Sequence, residues 1–149
     1  MFKGESFALI SDAGTPVFAD PGAYLIQEAT LSGLKVVPVP GPSSLMAALS
    51  VLDFKIEKFV YGGFLSRVPD LRRQELTRLR GLRMPVILMD TPYRLAALLD
   101  DVEKTFGKGQ KLTLGFDLTL ETETILRGTP AEVKKVIGPR KGEFILVLH

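Results

Sequence analysis

The sequence predicts an α/β fold in two parts, and three observations lead there. Short apolar runs alternate with longer amphipathic stretches along the chain, the pattern of strands and helices packed in layers. Gly and Pro gather where one kind of segment gives way to the other, as turns require. Two of those gatherings, Ser11 to Pro16 and Pro40 to Ser44, each follow an apolar run and precede a helical stretch. In an open α/β sheet, such loops at strand ends are where ligands bind.

Ser6 to Ile10 reads as a buried strand ending in the turn-rich Ser11-Asp12-Ala13-Gly14-Thr15-Pro16. Asp20-Pro21-Gly22 opens a helix through Leu31, with Tyr24, Leu25, Ala29 and Leu31 on its apolar face and Gly33 as C-cap. Lys35 to Val39 is the next strand, followed by a serine N-cap and a helix to Leu52. Phe59 to Tyr61 is a third strand, after which Gly62-Gly63 breaks the chain. That pair sets the predicted boundary: residues 1–62 form part of a first domain and residues 63–149 a second α/β domain. In the second part Asp70 to Leu82 is a helix buried through Leu71, Leu76 and Leu79. A strand from Pro85 to Met89 and a helix from Tyr93 to Phe106 follow, the helix closed by Gly107. Leu112 to Leu118 and Thr122 to Leu126 are strands; Thr129 caps a helix over Pro130 to Ile137, and Phe144 to Leu148 is the last strand.

Of the 149 residues, 46% are hydrophobic and 24% charged, enough for one core or two small lobes. No apolar run reaches the roughly 18 residues that span a bilayer, and the start lacks a signal-like apolar segment, so a cytoplasmic location is expected. Cys is absent and the only His is His149. Disulfides, thiolate metal sites and Ser-His-Asp triads are thereby excluded from this sequence, and no metal site is expected. Chemistry must rest on carboxylates, hydroxyls, Arg and Lys, backbone amides, or a reactive cofactor. Charge is uneven: residues 1–62 carry 4 basic and 6 acidic groups, whereas residues 63–149 carry 15 and 11. A basic second half suits a polyanionic partner or an ordinary solvated surface.

The two strand-end loops are rich in Gly, Pro and small residues, which lets backbone approach a ligand closely, yet neither is a G-x-G-x-x-G or Walker loop. By themselves they fit a small-molecule site or merely tight connections with helix caps. Arg67, Arg72, Arg73, Arg78, Arg80 and Arg83 fall within 17 residues, against Asp70 and Glu75. Arginine forks match phosphate oxygens, and arginine stems also cover apolar surface on a solvated helix.

Leu9-Ile10-Ser11-Asp12-Ala13-Gly14-Thr15-Pro16 with Asp20-Pro21-Gly22, and Val37-Pro38-Val39-Pro40-Gly41-Pro42-Ser43-Ser44, resemble the signatures of the ribosomal RNA small-subunit methyltransferase I branch of the tetrapyrrole-methylase superfamily. Gly63-Phe64-Leu65, Thr91-Pro92-Tyr93-Arg94-Leu95, Asp117-Leu118-Thr119 and Arg127-Gly128-Thr129 continue the likeness in order. The resemblance implies a two-domain S-adenosylmethionine-dependent methyltransferase with the cofactor folded between domains. It implies cofactor contacts from Ser11, Asp12, Ala13, Gly14, Thr15, Pro16 and Asp20, from Ser43 and Ser44, from Met89, Asp90 and Thr91, and from Asp117 and Leu118. The expected substrate is a cytidine ribose 2′-hydroxyl of 16S rRNA, with Asp90 or Asp117 as general base and Arg67, Arg72, Arg73 and Arg94 on RNA phosphates. A homodimer is expected as well. The family has a segment ahead of this region, so a fragment or a chain that pairs with another copy is expected. Met89-Asp90-Thr91 and Phe116-Asp117-Leu118-Thr119-Leu120 stand where that branch usually reads Tyr-Glu-Ser and Arg-Glu-Leu-Thr-Lys, which points to a sister subfamily. The alternatives are a tetrapyrrole C-methyltransferase and a non-catalytic cofactor-binding fragment.

Overall fold

Strands that are apolar at every position need cover on both faces, and the second half of the chain supplies it. The computed structural model describes residues 4–12 and 14–149. Its elements are α1 (Ala23–Leu31), α2 (Ser44–Ser50), β1 (Val60–Phe64), α3 (Pro69–Gly81), β2 (Val86–Asp90), a 3-10 turn (Pro92–Arg94), α4 (Leu95–Phe106), β3 (Leu112–Phe116), β4 (Thr124–Gly128), α5 (Pro130–Ile137) and β5 (Phe144–Leu148). The chain divides into two compact units, one ending at Ser44 and the other running from Leu45 to His149.

In the second unit the strands form one sheet in the order β1-β2-β5-β3-β4. β1 and β2 are parallel, and the other pairings are antiparallel. The period-two alternation of strands splits the core. Val86, Leu88, Leu112, Leu114, Leu146 and Leu148 face one cluster, completed by Leu76, Leu98, Leu99 and Val102 from α3 and α4 and by Val133 and Ile137 from α5. Ile87, Ile145 and Val147 face the other, against Ala48 of α2 with Leu49, Leu52 and Phe54 beside it. Gly62 and Gly63, expected to break the chain, lie inside β1, where the register with β2 shifts between Tyr61 and Gly63. Space is tight there: a Cβ at Gly62 would come within 2.7 Å of the Leu88 side chain and 3.0 Å of Leu79, so glycine lets α3 pack close without displacing those leucines.

The first unit departs from expectation. Residues 5–11 and 34–43 carry no regular secondary structure and form no ladder with any described residue, so the strands expected over Ser6–Ile10 and Lys35–Val39 are not formed. An apolar run becomes a strand only when another backbone satisfies its N–H and C=O groups. Phe7 at 74%, Ile10 at 83% and Val39 at 78% exposure show that cover is missing too. Helix α1 buries no residue and starts at Ala23 after Gly22, whose φ of 139° sets the turn. The expected strand Leu112–Leu118 stops at Phe116, because Asp117 and Thr119 take positive φ.

Thr129 caps α5 as expected. Its hydroxyl accepts from the Glu132 N–H while the Glu132 carboxylate accepts from the Thr129 N–H, a complete capping box. Those hydrogen bonds, chiefly from the Thr129 backbone, hold the Glu132 carboxyl below its ordinary range. A depressed carboxylate stabilises the fold above its unfolded pKa, and the contribution fades as pH falls through the folded value. Thr129→Ala is expected to cost about 1 kcal/mol at neutral pH. The stability gap between wild type and Glu132→Gln should close on acidification, as denaturant melts across pH will show.

Candidate functional site

In the first unit the two motif loops meet. The Thr15 N–H donates to Pro42 O at 3.2 Å, and the Ser11 hydroxyl donates to Gly14 O at 3.1 Å. Gly14 sits at φ 76°, and a Cβ there would lie 2.8 Å from Pro42 O. A Cβ at Gly41 would likewise press to 3.2 Å from Thr15 Oγ1. Glycine is therefore what lets the two backbones touch. Asp12, Asp20, Ser43 and Ser44 are exposed, Pro16 is half-buried, and Ala13 lies outside the described residues. Ser44 is the first residue of α2.

In the second unit the candidate groups collect where the parallel pair β1-β2 ends. Asp90, the last residue of β2, is 2% exposed. Its Oδ1 accepts from the Thr91 N–H at 2.7 Å and pairs with Arg94 at 3.1 Å. Its Oδ2 is buried without a hydrogen-bond partner. A buried carboxylate oxygen left unmade costs on the order of 1–3 kcal/mol, a cost that an incoming donor removes. Arg94 also donates to Leu65 O at 3.1 Å and Ser66 O at 2.6 Å, tying the Asp90 carboxylate to the chain leaving β1. The Glu75 carboxylate accepts from the Ser66 N–H at 2.8 Å and steadies the same segment. Met89 accepts from the Tyr61 hydroxyl at 3.3 Å, and Thr91 is exposed. Burial raises the Tyr61 pKa, which keeps that hydroxyl a donor.

Asp117 occupies a neighbouring place with a different job. Asp90 pairs across the sheet with Phe144, and Phe144 with Phe116. The backbones at Asp90 and Phe116 are therefore two strand spacings, about 10 Å, apart, and the two carboxylates do not form a proton-sharing pair. Asp117 takes φ 50°, a conformation Asp tolerates better than most residues. Its N–H donates to Glu143 O at 2.8 Å and its Oδ2 accepts from Thr122 at 2.9 Å, which closes the turn into β4. Its other oxygen lies against Gly142, where no larger residue fits. Leu118 packs half-buried with the Ile145 cluster. Arg140 stacks over Phe116 at 4.6 Å and Lys141 over Tyr93 at 5.0 Å at this same sheet end. Sequence reasoning passed over both; the signal was the basic turn Pro139-Arg140-Lys141-Gly142 between a helix and the last strand.

The arginines separate. Arg72 is 5% exposed, and its guanidinium meets Asp101 of α4 through Nε at 2.8 Å and a terminal nitrogen at 2.6 Å. It joins α3 to α4 instead of facing a phosphate. Spacing explains this: Arg72 is four residues before buried Leu76, on the same helical face. Arg73 is half-buried, paired with Asp70 and reaching Asp101 at 3.4 Å. Arg94 is committed to Asp90 and two carbonyls, and Arg67 is exposed beyond β1. Among the described residues, no group of three or more His, Cys, Asp or Glu could hold a metal ion, and no helix is long and apolar enough to cross a membrane. Removing one partner of a buried ion pair typically costs about 3–5 kcal/mol. Asp101→Ala is therefore expected to lower the unfolding midpoint sharply, while Arg67→Ala leaves it unchanged in the same urea titration.

The chain has extensive relatives. It is 40% identical over 153 aligned residues to "Ribosomal RNA small subunit methyltransferase I" of Xylella fastidiosa strain Temecula1, covering 100% of this chain and 56% of that protein. It is 35% identical to the protein of that name from Leptospira biflexa, covering 99% and 61%. The chain thus spans little more than half the length of these curated relatives. Among solved structures, it resembles uroporphyrin-III-C-methyltransferase from Thermus thermophilus at TM-score 0.63 and 17% identity, covering 91% of this chain and 60% of that one. Another structure of that enzyme from Thermus thermophilus, complexed with S-adenyl homocysteine, matches at TM-score 0.57 and 14% identity over 90% and 62%. Residues 1–134 match the Tetrapyrrole (Corrin/Porphyrin) Methylases. With paired Gly-Pro loops in one unit and a mixed sheet ending in Asp90 in the other, the chain belongs to that family.

Proposed function

We propose that this chain is part of an S-adenosylmethionine-dependent methyltransferase that modifies a ribose 2′-hydroxyl of 16S ribosomal RNA. The observation that carries the residue assignment is the buried, unpartnered Oδ2 of Asp90. The names of the sequence relatives support ribosomal RNA as the substrate.

The residues present fit the cofactor and the reaction. In the first unit the Gly14-Thr15 and Gly41-Pro42 backbones lie side by side, and Ser11, Asp12, Asp20, Ser43 and Ser44 supply polar groups around them. Bound there, S-adenosylmethionine supplies an electrophilic methyl group that needs no metal. In the second unit Asp90 Oδ2 would serve as the general base that takes the proton of the ribose hydroxyl. The proton then leaves to solvent. Arg94 holds Asp90 Oδ1, while the other oxygen keeps no partner within the fold. Asp117 keeps the neighbouring turn in place, with Leu118 beside it, and Arg67 and Arg73 lie nearest a phosphate role. Met89 and Thr91 flank the base. The reading includes a homodimer, supported by the exposed apolar surface of the first unit, and a cytoplasmic location alongside its RNA substrate.

Calorimetric titration of S-adenosylmethionine into the chain is expected to show saturable binding. Gly14→Val should abolish it, because the new side chain strikes Pro42 O and drives the loops apart. Asp90→Asn keeps acceptors for Thr91 and Arg94 but puts an amide in place of the base. It should retain cofactor binding and lose about 10²–10⁴-fold in methyl transfer to 16S rRNA. Transfer at the wild-type rate by that variant would remove Asp90 from the chemistry.

A further inference from the structure

A second concave surface lies at the far end of the sheet from Asp90. Its walls come from the ends of three strands: Leu148 closes β5 opposite Val86 and Leu112, Pro85 precedes β2, and Lys58 precedes β1. Five residues of β2 separate this end from Asp90, about 13 Å at the rise of a strand. This open concavity has a volume of about 690 Å³, within the roughly 300–1,000 Å³ of small-ligand pockets.

Its chemistry is two-sided. The floor is apolar and partly aromatic, with Phe54, Phe106, Met84 and Leu148. Phe54 lies against the His149 ring, which lines the same concavity, 4.3 Å centroid to centroid. The rim carries four cations, Lys55, Lys58, Arg80 and Arg83, against the single carboxylate of Glu57. Glu57 is already taken by Lys55 at 2.5 Å. Arg80 is anchored by donating to Thr105 O at 2.8 Å, which leaves the rest of its fork available along the rim. Lys58 and Arg83 are exposed. An excess of cations beside aromatic side chains supplies the two components of a single-strand nucleic-acid platform, with phosphates on the cations and a base against the aromatic lining. A rigid duplex would not enter a concavity of this size.

We propose that this cavity is an RNA-binding site separate from the methyl-transfer site, taking an unpaired nucleotide of the RNA strand through Lys58, Arg83 and the Phe54–Phe106 floor. The proposal rests on the RNA reading above for the identity of the strand. It accounts for arginines of the α3 region that the Asp90 end does not use: Arg80 and Arg83 belong to this rim.

The test is fluorescence anisotropy of a labelled short single-stranded RNA of mixed sequence, without cofactor, on the full chain. Lys58→Glu with Arg83→Glu should weaken binding about tenfold at low salt and flatten the slope of log affinity against log salt by about 1.4, the loss of two single-strand phosphate contacts. The neutral pair Lys58→Gln with Arg83→Gln should show the same flattening with a smaller loss, guarding against a folding artefact of charge reversal. Unchanged affinity and slope in both variants would overturn the site, as would no RNA binding by wild type. Displacement of the RNA by a nucleoside monophosphate at comparable concentration would assign the cavity to a free nucleotide and overturn the strand assignment. S-adenosylmethionine calorimetry on the same variants should match wild type. Failure of cofactor binding by wild type itself would count against the methyltransferase reading and leave the anisotropy result standing.

Discussion

β5 hydrogen-bonds on both sides, to β2 and to β3, and every one of its five residues is buried. Because side chains alternate across a strand, a one-residue slip would exchange Leu146 with Ile145 and Val147 and mismatch both layers. That two-sided burial locks the register of three strands at once. It follows that Asp90, Phe144 and Phe116 must end up side by side at one edge of the sheet, and Val86, Leu148 and Leu112 at the other. Asp90 and the concavity lined by Lys58 and Arg83 thus lie at the two ends of this single ladder.

Burying charge in such a fold has two different outcomes here. Arg72 and Asp101 satisfy each other between α3 and α4 and act as a helix-to-helix connection. Buried Asp90 pairs with half-buried Arg94, but the guanidinium is shared with two backbone carbonyls and one carboxylate oxygen is left over. The first pair is closed and its value is positional. The second is open on one atom, and an atom whose partner is missing from the fold is where a ligand gains most from binding. The unevenness distinguishes two superficially similar Arg–Asp contacts.

The loops of the first unit meet through backbone geometry. Gly14 and Gly41 contribute no side chain; they allow two turns from distant parts of the sequence to lie against each other. The surrounding apolar segments stay exposed in this chain, with Phe7, Ile10, Val37 and Val39 largely in water.

Much of this was legible from residues alone. The strongly periodic α3 and α4, the capping box at Thr129, and the uniformly apolar β2 and β5 declared themselves, because each is a local pattern with a local physical cause. The two Gly-Pro loops were also plain, through their composition. Pairing was not legible, since a strand exists only with its partner: Ser6–Ile10 and Lys35–Val39 read as strands and are not, and Gly62-Gly63 read as a break and lies within one. The use of charges was hidden as well. Arg72 and Arg73 are adjacent and alike in sequence, but helical phase turns one into the core beside Leu76 and leaves the other half in water. By itself the sequence determined which segments are helical and apolar, and that no thiol or imidazole cluster could do the chemistry. Tertiary structure alone decided which carboxylate keeps an oxygen without a partner and which cations gather around a cavity, because both depend on groups far apart in the chain being brought within hydrogen-bonding reach by the packing of the sheet.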